Sequence, residues 1–204
     1  MSEFIDAVRT DNATALSRLG SSKALYADTE GELEPHSVLA AAADAESAAA
    51  ETFAVWVEDE KDVDAADAFA ATATEERDHY RTVEAELDGH TTERVPAIQA
   101  YLRGLADTPE RVGALVGRTL VAEKSKEQLI GFFVGQADPQ TAALFRSMGD
   151  DLDAQLERAV TLVDAFDDAE RERAKAAADE AIQLAYNEYT EALESIGVNP
   201  KPVC

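Results

Sequence analysis

Apolar side chains recur three and four residues apart over most of the chain, the spacing of one face of an α-helix. The clearest stripe is Phe69, Thr72, Glu76, His79 and Val83, whose steps of 3, 4, 3 and 4 keep all five on one face. Ala42, Glu46, Ala49 and Phe53 form a second stripe, and Val116, Thr119, Glu123, Glu127 and Ile130 a third. Helix-start and helix-stop residues divide the pattern. A first helix is expected over about 2–18, with Phe4, Val8 and Leu16 on one side and Gly20 as its stop. A polar loop covers 27–32. Pro35 opens a long helix over about 36–59, because its missing N–H is not needed there. Asp62 or Asp64 caps the next, which reaches about Leu87 and stops at Gly89. A short helix near 96–104 precedes Thr108-Pro109, an N-cap and first-turn pair for a helix ending at Gly135. Asp138-Pro139 opens the next, to about Phe166, and a last long helix fills about 168–195. The tail, Asn199-Pro-Lys-Pro-Val-Cys, cannot be helical.

The reading is therefore all-α: an antiparallel four-helix bundle with extra N-terminal and C-terminal helices. Residues 1–35 supply the N-terminal helix and loop, 36–166 the bundle, and 167–204 the C-terminal helix and tail. Composition agrees, since 40 of the 204 residues are Ala against 10 Gly and 6 Pro. An internal repeat supports two hairpins, 36–88 and 109–165. Ala45-Glu46 is followed 23 residues on by Phe69, and Ala122-Glu123 is followed 22 residues on by Phe145. Chance similarity between Ala-rich hairpins is the competing explanation.

Charge narrows the partners. Eighteen Lys and Arg against 42 Asp and Glu give −24, which repels nucleic acid and anionic membranes. Only 6 of the cations are Lys, and this acid excess suits a halophilic cytoplasm, where ~1 M salt screens charge within about 3 Å. No signal-peptide pattern opens the chain, so a cytoplasmic location is expected. Cys204 is the only cysteine, so no Cys-based metal site or internal disulfide is possible; a frayed tail is its simplest reading, a link between two chains the other.

Carboxylates on inward faces are the candidate chemistry. Burying one unpaired costs several kcal/mol, so it must be paired, protonated, hydrated or bound to a cation. Glu46, Glu76 and Glu123 come from three helices, and His79 follows Glu76 at the spacing that turns both towards one metal. Hard oxygens with one nitrogen suit iron or manganese. A Glu–His hydrogen-bonded pair in a metal-free core is the alternative for Glu76 and His79. Glu46 divides evenly between site and solvated face, and Glu127 suits a solvated face.

At Ala45-Glu46-Ser47-Ala48, and again at Thr74-Glu75-Glu76-Arg77-Asp78-His79-Tyr80, the chain resembles the rubrerythrin branch of the ferritin-like superfamily. The resemblance spans about 36–165. It implies a four-helix bundle holding two irons that react with peroxide or oxygen, with Glu46, Glu76, His79 and Glu123 as four of the ligands. The fourth helix departs from the pattern. Leu152 and Gln155 stand where a carboxylate and a His belong, and Asp151 is rotated by ~100° from that place. No cysteine-ligated iron domain is present to relay electrons, so the electron donor stays open. Two functions follow: a metal-binding oxidoreductase using iron, as one ion or a dinuclear pair, or manganese; or a metal-free bundle with a structural, stress-related or protein-interaction role. The helix over 168–195, with Leu184, Tyr186, Tyr189 and Leu193, is expected to pack outside or to form a homodimer contact.

Overall fold

Three of the long helices in this chain open on an Asp side chain that satisfies a free N–H group of the first turn. The structure is a computed structural model describing residues 3–92 and 94–200. The expectations about Cys204 and the last tail residues lie outside the described residues. Within them there are nine helices and no strand. Three short helices come first: α1 (Glu3–Asp11), α2 (Ala13–Leu19) and α3 (Lys23–Asp28). Four long ones follow, α4 (Pro35–Asp59), α5 (Val63–Glu84), α7 (Thr108–Gly135) and α8 (Pro139–Ala165), with the short α6 (Ala97–Arg103) between the pairs. The chain ends on α9 (Asp168–Ser195). No helix among the described residues is long and apolar enough to cross a membrane.

Asp62, rather than Asp64, caps α5 through Ala65 N, and Asp138 caps α8 through Thr141 N. Asp167 and Glu170 form a reciprocal capping box on α9. At α7 the cap position falls to Asp107, one residue before the expected Thr108, whose hydroxyl instead donates to Glu60 at 2.7 Å. The first expected helix is broken at Asn12. That buried side chain donates to Val8 O and to Asp179 Oδ1 and accepts from Gln183, which docks the break onto α9.

Two apolar clusters fill the interior. One holds Phe53, Trp56, Phe69, Leu115, Leu120 and Ile182; the other holds Val38, Val83, Leu129, Phe133, Phe145 and Met148. The order in which each long helix passes through them gives its direction. From the second cluster to the first run α4 and α8, and from the first to the second run α5 and α7. The directions are therefore up, down, down, up. Three-residue turns join α4 to α5 and α7 to α8, but the segment 85–107 must return along the whole length. It does so beside α4: His90 meets Asp44 at 2.8 Å, Thr92 meets Ser47, and Trp56 Nε1 donates to Leu102 O at 3.0 Å.

The last helix packs against α7 on the outside of the four long helices, with one of its own faces buried. Along α7 it lies so close that a Cβ added at Gly113 would sit 1.8 Å from Ala174 O, and one at Gly117 2.4 Å from Ala178 O. Ala174, Ala177, Ala178 and Ala181 supply the matching flat face. Ile182 and Leu193 are fully buried. The outside packing expected of this helix is met against α7 and the short helices, while Leu184 and Tyr186 stay half-buried.

Candidate functional site

A layer of polar side chains separates the two apolar clusters. Each comes from the middle of a long helix: Glu46 from α4, Glu76 and His79 from α5, Arg118 and Lys126 from α7, and Gln155 from α8. All six are at most 5% exposed. Such a layer survives only if its charges balance. Arg118 grips Glu76 with two parallel bonds of 2.5 and 2.7 Å. Lys126 donates to Glu46 Oε1. Gln155 donates to Glu76 Oε1 at 2.7 Å and accepts from Thr119 at 3.2 Å.

The imidazole of His79 lies between two acids. Its Nε2 is 2.9 Å from Asp151 Oδ2, and its Nδ1 faces Glu46 Oε2 at 3.5 Å and Glu76 Oε2 at 4.0 Å. Glu46 Oε2 and His79 Nδ1 are both buried without a hydrogen-bond partner. One ligand atom from each of Glu46, Glu76 and His79 falls within 4.8 Å of the others, so this buried group could hold a metal ion. Asp151 is half exposed, and from the outside it steers the second ring nitrogen, as carboxylates beside metal-binding histidines do.

The electrostatics follow from the neighbours. Burial pushes the Glu46 carboxyl up, but Lys126, His79 and Arg118 outweigh it and hold it well below the usual carboxylate range. Burial also disfavours a charged His79, yet Glu46 and Glu76 raise its pKa above the ordinary histidine value. Burial disfavours the Arg118 cation as well, and Glu76 and Glu46 again prevail and raise it.

Three of the four residues expected as ligands therefore meet. Glu123 is placed elsewhere: it faces α1, where Arg9 binds it with contacts of 3.0 and 3.2 Å. Burial pushes its carboxyl up against the pull of Arg9. Glu127 is exposed and pairs with Lys124. The inward stripe of α7 is Ala122, Lys126, Leu129 and Phe133. Its steps of 4, 3 and 4 repeat those of Ala42, Glu46, Ala49 and Phe53. That match stands in the sequence beside the one that pairs Glu123 with Glu46, and burial selects Lys126. The register expected for α8 agrees with the burial pattern, since Phe145, Leu152 and Gln155 all point inward. Arg118 had no such signal, being one of twelve arginines in a mostly apolar stretch.

Two metal ions do not fit this donor set. The positions that would complete a second half-site are Lys126, Leu152 and Gln155, which offer no anionic ligand. A single ion fits better, with Glu46, Glu76 and His79 as ligands. A divalent ion about 4 Å from a fixed unit cation meets repulsion of roughly 8 kcal/mol at an effective dielectric near 20. The flexible Lys126 can swing away to relieve this, whereas Arg118 is locked by its double bond to Glu76. Comparison of the chain with family models, curated proteins and solved structures finds no match.

Proposed function

We propose that the protein is a ferritin-like helical bundle that holds one divalent metal ion, iron or manganese, on Glu46, Glu76 and His79. The observation that carries this reading is the pair of buried atoms Glu46 Oε2 and His79 Nδ1, 3.5 Å apart and neither with a hydrogen-bond partner, with the other His79 nitrogen held by Asp151. Octahedral or tetrahedral ligands about 2.1 Å from a metal stand at this kind of separation from one another. The up, down, down, up order with one long crossover is the connectivity of ferritin-like folds and supports the same reading. Two carboxylates and one imidazole suit iron or manganese. Iron or manganese bound there supplies a redox couple for peroxide or oxygen. The chain's own residues orient the imidazole, keep the carboxylates ionised and exclude bulk water.

A second reading has an observation of its own. Glu46 and Glu76 already carry cations from α7, so a metal-free bundle with a structural, stress-related or protein-interaction role is also supported. Metal analysis separates the two. The full-length protein, purified in high salt, is expected to contain close to one iron or manganese per chain, and added Mn(II) should raise its thermal midpoint. Lys126→Met removes the competing cation and should tighten the metal, while His79→Ala should lose it. No bound metal and no midpoint shift, in both the natural chain and Lys126→Met, would leave the second reading.

A further inference from the structure

A cavity of about 180 Å³ opens between α3, α4, α7, α9 and the segment leading into α6. Its walls are mostly apolar, with Leu19, Val38 and Leu129 among them. Its inner end is the flank of the polar layer, where Glu46, Arg118 and Lys126 line it. The charges there are already matched, Lys126 with Glu46 and Arg118 with Glu76. Towards the mouth Arg94 is paired with Glu188 at 2.6 Å and Asp44 with His90 at 2.8 Å, while Asp28 is exposed to solvent. A charged ligand would thus gain no free counter-ion for the water it gives up. One polar group on the wall lacks a partner. Gln99, on α6, is 3% exposed, and among the described residues its amide oxygen has no hydrogen bond. Turning the amide end for end exchanges acceptor for donor. A hydroxyl, which both donates and accepts, answers either.

We infer that this cavity binds a small neutral alcohol, with its apolar body among Leu19, Val38 and Leu129 and its hydroxyl on Gln99, in the chamber that Glu46 also lines. Matched charges at the wall disfavour an ion of either sign, and the one unanswered group there is a neutral amide. Size limits the ligand. An apolar cavity of roughly 150 Å³ takes a benzene ring, so this one takes a ring with a short arm. The alcohol needs no metal to bind. Where Glu46, Glu76 and His79 hold an ion it stands next to that ion, and this part of the inference rests on the metal reading above.

Benzyl alcohol, toluene, benzylamine and benzoate share one shape and differ in polarity and charge, which makes them the probes. Titrations of the full chain in high salt screen the acidic surface. Benzyl alcohol should raise the thermal midpoint of the metal-free chain and bind at least about tenfold more tightly than benzylamine or benzoate. Gln99→Met keeps the side chain's length and removes its amide. It should weaken benzyl alcohol by about tenfold while toluene binds as before, which also shows the cavity intact. Absence of benzyl alcohol binding, equal or tighter binding of a charged probe, or an alcohol affinity unchanged by Gln99→Met would overturn the assignment. Mn(II), which is paramagnetic, tests the position. In the chain loaded with it, the ring protons of bound benzyl alcohol should relax faster. The effect should vanish in His79→Ala, which keeps the alcohol because His79 does not line the cavity. Bound Mn(II) without faster relaxation would put the alcohol elsewhere and overturn the assignment too. Failure of Mn(II) to bind would sink the metal reading alone, because alcohol binding is read on the metal-free chain.

Discussion

A fully buried carboxylate stays ionised beside a fixed positive charge, and Glu76 shows the terms. It is 0% exposed and receives two bonds from Arg118 and one from Gln155. Removing one partner of such a pair leaves the other stranded, at about 3–5 kcal/mol. Glu76→Ala should therefore lower unfolding stability by that amount in denaturant titration. The double change Glu76→Leu with Arg118→Met should recover most of it, because neither charge then remains. Acid acts on the same layer. The folded-state pKa of Glu46 lies below its unfolded value near 4.5, so its contribution is complete above about 4.5 and disappears as pH falls through the folded value. The Glu76–His79 stripe was legible because its steps fit one helix face. Arg118 was not, because nothing local distinguishes an arginine aimed inward from one aimed at water.

Among the helices, α7 has the least readable face. Fifteen of its residues are buried, on all sides, because α8 and α9 cover what a two-sided helix would leave open. Its hydrophobic pattern is accordingly diffuse, and Glu123 and Lys126 are both plausible inward positions until neighbours are known. Glycines show how tightly one of those neighbours packs. Gly113→Ala places a methyl group against the α9 backbone and should destabilise by several kcal/mol or force the helices apart. Gly131→Ala, in the same helix with nothing within 4 Å of the added carbon, should stabilise by about 0.5–1 kcal/mol. Chemical unfolding of the two variants side by side checks the contrast. A mild result at Gly113 would mean that α9 is not held against α7 this closely. Helix starts, by contrast, were readable to within a residue or so at α5, α8 and α9, where Asp62, Asp138 and Asp167 are the caps.

Over the whole molecule, charge and topology set the behaviour. A net charge of −24 on 204 residues repels itself, and dissolved salt reduces that repulsion. The thermal midpoint should rise steadily from dilute buffer to about 1 M potassium chloride, with most of the gain at the lower concentrations. A flat profile would show that surface pairs such as Arg173–Asp107 and Lys175–Asp11 already offset the acid excess. Topology places the polar layer between two apolar clusters. A cavity of about 180 Å³ lies beside it, where α3, α4, α7 and α9 do not fully meet, and Glu46, Arg118 and Lys126 line its inner wall.

By itself the amino-acid sequence determined the long helices, the Asp caps of α5 and α8 and the inward stripes of those two helices, since period and capping are encoded within a few neighbouring residues. It placed Glu76 and His79 on one inward stripe and left Glu46 divided between that site and a solvated face. Only the tertiary structure decided that Glu46 joins them, that Lys126 and Arg118 face the group, that the first helix breaks at Asn12, that Glu123 turns to Arg9, and that α9 packs on α7. In an Ala-rich, acid-rich helix, adjacent stripes differ by a single residue, about 100° of rotation, and local pattern cannot choose between them. The choice belongs to the packing partners, which fill one stripe with a buried counter-charge and leave the other to the surface.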